Sequence, residues 1–410
     1  MHHPSPRALS LGVFVLSLLI TGSAHAAPSD PITRALALPD ASLLVEESGR
    51  TPIARQVDRP MIPASTMKIL TALAAIERWG LDHRFHTDFY LASDGWLWAK
   101  GYGDPYLVSE ELDRIAAALK KAGVRKVAGI GTDDGYFAPD LQISGRSSST
   151  NPYDAPVTAL AANFNTIKVV NRGGKVSAGE LQTPLTPLAR QLGAKLGAGE
   201  HRINLRERAP ALRYFGELLG AKLAEAGIDV GSVVKTGSVP AGAKRVYRHQ
   251  SSRDLRAVLI GMLQYSNNFI ANDLFLLLGD AGDGRPLTIP GAQRALSAWV
   301  DTKFGWRGYR IEDGAGLSRA NRLSARQLQE AVKAFAPYRD LLPAQNGQVR
   351  AKTGTLTGVS SYAGFVQRNG RWEPFSLLIN QAAPYDLRLR VAEALVATPD
   401  LARLCRGGSC

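Results

Sequence analysis

"IPASTMKILTALAAIERWG", residues 62–80, is the stretch on which the reading of the fold turns. Ile69, Leu70, Leu73, Ala74 and Ile76 wrap most of the way round it, which suits a helix buried in a core better than a one-faced surface helix. Yet Lys68 sits in the first turn, and the next charge is Glu77. An isolated ammonium in an apolar setting is costly, so this lysine is either paired or used. Ser65 lies three residues before it, where the helix begins. Residues at that spacing share a helix face, so hydroxyl and ammonium can meet. The free N–H groups and the dipole of a helix start favour developing negative charge. A serine hydroxyl is a weak nucleophile without a base beside it, and a lysine whose pKa is depressed by burial can be that base. The plain alternative is a capping serine and a lysine reaching to water. A Ser-x-x-Lys tetrad arises by chance about once in a chain of this length, so alone it decides nothing.

Outward from this helix, the chain reads as an exported globular protein. It has 410 residues, 45% of them hydrophobic and 21% charged, which is ordinary composition with ample material for a core. The opening holds Arg7, the apolar run "LGVFVLSLLI", and "TGSAHAA" with an Ala-x-Ala cleavage site at Ala24 and Ala26. That run is shorter than the ~20 residues a spanning helix needs, so 1–26 reads as a cleaved signal peptide and the mature chain starts at Ala27. With no cysteine after the cleavage site for a lipid anchor, the destination is the periplasm. Cys405 and Cys410 stand in the terminal "CRGGSC", where an oxidising compartment favours closing a small loop, and a pair of free thiols is the alternative. Two cysteines make a poor metal site, and no metal or cofactor is implied. The net charge of +13 is dispersed along the chain. That argues against nucleic acid and favours peripheral association with anionic wall polymers or a membrane surface.

"ASLLVEE" reads as a strand before the helix. From residue 85 the texture changes. Hairpin turns are expected at Asp94-Gly95 and Gly173-Gly174, and helices near 109–122 and 209–227. "RDLRAVLIGMLQYSNNFIANDLFLLLG" is helical again, two strands flank Asn369-Gly370, and a helix near 386–404 closes the chain. The middle, 89–249, reads as a β-rich inserted domain with short helices, between 27–88 and 250–410.

Two further motifs change the weight of the first. "YSNN" gives Ser266 and Asn268 as a Ser-x-Asn triplet at the turn between two apolar helical runs. "AKTGT" gives Lys352, Thr353 and Gly354 at the head of a strand, with Thr355 next. Separately they suit turn formers and a surface cation. In the order Ser-x-x-Lys, Ser-x-Asn, Lys-Thr-Gly they are the signature of serine enzymes that acylate on penicillin.

On these motifs the chain resembles the D-alanyl-D-alanine carboxypeptidase/endopeptidase family, the low-molecular-mass class C penicillin-binding proteins. "GYGDPYL" (101–107), "NPYDAPVTALAANFNTIKV" (151–169) and "DGAGLSRANRLS" (313–324) also look like family segments. The resemblance implies an α/β penicillin-recognising fold, an antiparallel sheet flanked by helices with a β-rich insert. It implies that Ser65 attacks the carbonyl between two D-alanines while Lys68 takes its proton. Ser266 would relay a proton to the leaving amine, and Asn268 would hold the substrate amide and Lys68. Lys352 and Thr353 would orient the terminal carboxylate, and Gly354 would let the strand approach the substrate. The N–H groups of Ser65 and Thr355 would form the oxyanion hole. Peptidoglycan stem peptides would be the substrates and β-lactams covalent inhibitors.

The resemblance also assigns stem-peptide side-chain binding to Asp133, Phe137 and Arg319. Asp134 is the adjacent alternative to Asp133, and both aspartates also suit a turn. Thr357 stands where some members carry an amide side chain, which is a departure from the pattern. The rival with the same three motifs is a secreted serine β-lactamase, but nothing after Asn272 resembles the glutamate loop of class A enzymes. A non-catalytic wall-binding protein is the other rival, with the positive charge in its favour and the complete set of motifs against it.

Overall fold

The structure, a computed structural model, describes residues 30–280 and 285–405. The leader expected over 1–26 and the pairing of Cys405 with Cys410 lie outside these residues. A six-stranded antiparallel sheet has the order Ala344–Gln345, Val349–Leu356, Val359–Arg368, Arg371–Ile379, Ala41–Glu47, Arg50–Arg55. The first of these strands in the chain lies beside the last, with Ala41 opposite Ile379 and Val45 opposite Phe375. Side chains alternate along a strand, so Leu43 and Val45 point to one face and Leu44 to the other. All three are buried, and so the sheet is covered on both sides. Pro31–Leu36 and Leu387–Ala397 cover one face, packing Ile32, Val391 and Leu395 with Leu43, Leu377 and Ile379. Met67–Trp79, Leu255–Gln264, Asn268–Leu278 and Ala325–Ala334 build the core on the other face. This is the α/β class expected, an antiparallel sheet flanked by helices.

The middle of the chain has its own core. Its five-stranded sheet has the order Val234–Thr236, Ile130–Asp133, Leu97–Gly101, His86–Leu91, Lys244–Gln250. Hairpins turn at Asp94-Gly95 and Gly173-Gly174, where Gly95 and Gly174 have φ of 80° and 87°. The segment is more helical than a β-rich reading suggests, for Ser109–Lys121 and Arg208–Glu225 have 13 and 18 residues. The reason is topological. Leu97–Gly101, Ile130–Asp133 and Val234–Thr236 run parallel, and parallel neighbours need a crossover of about a dozen residues or more, commonly a helix. The two helices pack Leu112, Ile115, Leu212 and Phe215 against Phe89 and Ile130.

What positions the chemistry is the approach to the buried helix. Residues 62–80 divide into a 3₁₀ turn, Ala64–Thr66, and a helix, Met67–Trp79, in which Met67 to Ile76 are all buried. Met61 and Leu323 form a two-way backbone bridge, with N–H···O distances of 2.9 and 3.0 Å. Ile62 is gripped by Asn380, whose Oδ1 accepts from Ile62 N at 2.7 Å and whose Nδ2 donates to Ile62 O at 3.1 Å. Ser361, from a central strand, donates its Oγ–H to Pro63 O at 2.6 Å. The start of the helix is thus tied to the sheet residue by residue. Asn380→Ala removes two of these ties, and we expect it to lower the unfolding free energy by about 1–3 kcal/mol. Denaturant titration checks this, and an unchanged midpoint would show that the sheet does not hold the segment.

Candidate active site

Ser65 sits in the 3₁₀ turn, half-buried, just after Ala64, whose φ of 47° is unusual for a residue with a side chain. Gly316 presses against that turn: with φ of 79°, its position would put a Cβ 1.9 Å from Ala64 O. One helical turn on, Lys68 is fully buried. Its Nζ donates to Ser65 Oγ at 3.0 Å, Asn268 Oδ1 at 2.7 Å and Ala315 O at 2.9 Å. Three acceptors match the three donors of an ammonium, but none is a carboxylate. Burial, and secondarily the charge of Lys352, hold the Lys68 pKa well below the usual lysine range, with Asp313 opposing. A neutral amine on a serine hydroxyl is a nucleophile with its base in place.

Asn268 opens the helix Asn268–Leu278 and donates its Nδ2 to Tyr153 O at 3.1 Å, so the insert reaches this residue through a backbone carbonyl. Ser266 occupies the turn between helices with φ of 52°. It does not bond Lys68, whose third acceptor is Ala315 O. Instead Ser266 lies between two cavities. One, of about 570 Å³, is lined by Tyr106, Tyr153, Phe164, Ser266 and Asn268 among others. The other, of about 380 Å³, is lined by Ser266, Gln345, Lys352, Thr353 and Tyr362 among others.

The strand Val349–Leu356 brings Lys352, Thr353, Gly354 and Thr355 to the same place. Lys352 is buried, with its Nζ on Thr353 O at 2.8 Å, and burial followed by the nearby Arg388 charge pulls its pKa down to about 7. Gly354 has a tighter requirement than substrate access. A Cβ there would stand 2.1 Å from Ser361 Oγ and 2.8 Å from Ser65 N, so the bare backbone lets the strand close on the serine itself. The loop that supplies Ala315 O is fixed from several sides. Asn272 Oδ1 accepts from the N–H groups of Gly314 and Ala315, and Asp313 accepts from those of Ala315, Leu317 and Ser318.

The three side-chain-binding assignments fare differently. Arg319 is exposed at the rim and donates to Thr357 O at 2.9 Å, which links it to the turn after the Lys-Thr-Gly strand. Phe137 does not reach the cleft: it is 1% exposed and packed in the main core. Asp133 is also buried, with its oxygens on the N–H groups of Gly135 and Val239. Its carboxylate holds a turn and the loop after the strand Val234–Thr236, with the Lys100 ammonium 3.7 Å away. Asp134 bonds Leu160 N and Arg208, and burial pushes its pKa up to about 6. Sequence reasoning missed Ala315 O and Tyr153 O because a backbone acceptor has no residue signature. It missed Arg388 because "YDLRLRVAEAL" reads as a helix with surface arginines.

A buried lysine on a serine at a helix start, closed by a Ser-x-Asn turn and a Lys-Thr-Gly strand, defines a serine acyl-transfer centre. The D-Ala-D-Ala carboxypeptidase 3 (S13) family matches residues 42–191, 197–343 and 338–397, and the chain belongs to that family. It is similar to a D-alanyl-D-alanine carboxypeptidase of Actinomadura sp. (strain R39), 28% identical, with 88% of this chain and 82% of that protein covered. Among solved structures, penicillin binding protein 4 (dacB) from Haemophilus influenzae shares the fold. The TM-score is 0.71 and the identity 21%, with 88% of this chain and 97% of that one covered. A predatory endopeptidase of Bdellovibrio bacteriovorus, acylated by penicillin G and bound to an immunity protein, matches at TM-score 0.52 and 14% identity, with 88% and 93% covered.

Gly354→Ala tests the closure of the strand on the serine. A displacement of about 1 Å in such a site can cost roughly 100-fold in rate. We expect a loss of that order in acylation of Ser65 with a melting temperature shifted by only a few degrees. Acylation within threefold of wild type would show that the close approach is not needed.

Proposed function

We propose that this chain hydrolyses the D-alanyl-D-alanine end of peptidoglycan stem peptides, and D-alanyl cross-links between strands, through an acyl-enzyme on Ser65. The observation that carries this reading is the 3.0 Å contact of Ser65 Oγ with a fully buried Lys68 that has no carboxylate partner among the described residues. Ser65 Oγ attacks the carbonyl carbon and its proton passes to the neutral Lys68 amine. The carbonyl oxygen becomes an oxyanion, for which the N–H groups of Ser65 and Thr355 are the candidate donors. The C–N bond then breaks, and Ser266 relays a proton to the departing amine. Water attacks the ester and releases Ser65. The second Nδ2 hydrogen of Asn268 is available for the substrate amide. Lys352 and Thr353 hold the terminal carboxylate.

A β-lactam forms the same ester with no leaving group free to depart, which supports its action as a covalent inhibitor. The substrate lies in the periplasm, and we assign the protein there, with the insert over 89–249 as a separate domain. The net charge of +13 supports peripheral association with the wall or membrane surface. Among the described residues no helix is long and apolar enough to cross a membrane.

Intact-protein mass after incubation with benzylpenicillin tests the reading. We expect a long-lived adduct on wild type and none on Ser65→Ala. Lys68→Ala is expected to lose roughly 100-fold or more of the acylation rate, the scale of a general base. An adduct that clears while penicillin is consumed would make the protein a β-lactamase, and no adduct would remove the nucleophile.

The pH dependence has a definite sign. Acid protonates Lys68 and removes the base, so kcat/KM for D-alanine release rises with pH until the depressed Lys68 pKa is passed. Above about pH 7 the free enzyme's Lys352 loses its charge and carboxylate binding weakens, so kcat/KM falls there. A pH profile flat from 6 to 9 would contradict this.

A further inference from the structure

The closing helix Leu387–Ala397 places an arginine where its own sequence pattern gives no reason for one. Arg388 is 2% exposed, beneath the strand Val349–Leu356. Its Nη1 donates to Gly354 O at 2.6 Å, Thr355 Oγ1 at 2.7 Å and Ser360 Oγ at 3.4 Å. The Tyr385 ring lies 4.7 Å from the guanidinium carbon. Its Nε is buried without a hydrogen-bond partner, and among the described residues no carboxylate forms an ion pair with it. A buried cation left without an anion is destabilising, so the arrangement calls for a reason beyond packing.

Lys68 and Lys352 are buried close by in the same condition. Asp313, an acid whose charge opposes the shift at Lys68, already accepts from three backbone N–H groups and from Asn321 Nδ2. Among the described residues, none of these three buried cations has a carboxylate as a hydrogen-bond or ion-pair partner. An anionic ligand completes this charge balance. The candidate contact point is Thr355, whose position on the strand is exposed.

We propose that Arg388 is a positioning residue for the substrate's terminal carboxylate and that it acts through the Thr355 hydroxyl. The proposal rests on the reading of Ser65 as the acylated serine. Arginine can only donate, so Thr355 Oγ1 must accept from it. The one hydrogen of that hydroxyl is then free to turn outward to an oxyanion of the carboxylate. An arginine keeps its charge at every working pH, so it sustains the field after Lys352 has lost its proton. Preference for substrates with a free terminal carboxylate is thereby built into the closing helix.

The experiment compares kcat/KM on a stem peptide ending in D-Ala-D-Ala with the same peptide ending in a carboxamide. Wild type, R388Q, R388K, T355V and R388Q/T355V are measured, each with a thermal melt. R388Q is expected to lose roughly 10- to 100-fold on the free acid, the scale of a hydrogen bond to a charged group, and little on the carboxamide. T355V is expected to lose the same preference, and R388Q to add under threefold on the T355V background. R388K, which keeps the charge and a donor, is expected to recover part of the preference and serves if R388Q does not fold. Removing the neighbouring charge also lets the Lys352 pKa rise, so the alkaline limb of R388Q moves to higher pH. Equal losses on both peptides with an unmoved limb would make the role of Arg388 merely structural and overturn the proposal, as would an undiminished carboxylate preference. A wild type that forms no adduct on Ser65 would overturn the reading beneath it instead.

Discussion

A lysine amine sealed away from water is the constraint on which the site depends. Among the described residues Lys68 has no carboxylate in contact, and its three acceptors each come from a different part of the chain: Ser65 Oγ, Asn268 Oδ1 and Ala315 O. Each acceptor in turn has to be held. Asn272 and Asp313 fix the loop of Ala315, and Thr71 donates to Gly314 O from the helix of Lys68 itself at 2.7 Å. Asn268 is braced by the carbonyl of Tyr153. The low-dielectric interior that makes an unmet polar group expensive also strengthens these bonds, so the network is stable when complete and fragile when any member is lost.

The sheet supplies the second half of the geometry. Pairing of the first strand with the last brings the segment before Ser65 alongside Asn380 and Ser361, which the chain reaches only near its end. Gly354 then allows the strand of Lys352 to lie against Ser65 N with nothing between them. Distances at the site are therefore set by antiparallel register rather than by flexible loops. A register slip of one residue would turn Lys352 to the opposite face of the sheet.

How much of this was legible in the sequence follows from range. Ser65 and Lys68 could be paired because helix geometry alone joins residues three apart, and the hairpins at Asp94-Gly95 and Asn369-Gly370 because a turn is a local event. Ser266, Asn268 and Lys352 came from motif order, and the structure places Asn268 in one cavity and Lys352 in another, with Ser266 lining both. Asp133 and Phe137 did not survive as cleft residues, since their place depends on how the insert packs, which no local pattern encodes. The parallel strands of the insert were hidden for the same reason: their partners lie far along the chain. Arg388 was the least legible, because its burial comes from the docking of a helix whose own pattern leaves arginine outside.

The two lysines of the site divide its labour because their surroundings differ. Lys68 is depressed first by burial and next by the charge on Lys352, so each protonation of Lys352 makes the base weaker. Lys352 is depressed by burial and by Arg388, a neighbour that never titrates in the working range. A carboxylate arriving beside Lys352 offsets the very charge that weakens Lys68. Substrate binding and base strength are thus coupled through ordinary Coulomb interaction at short range in a poorly screened interior. No conformational change is required for the site to be more basic when a carboxylate is in it than when it is empty.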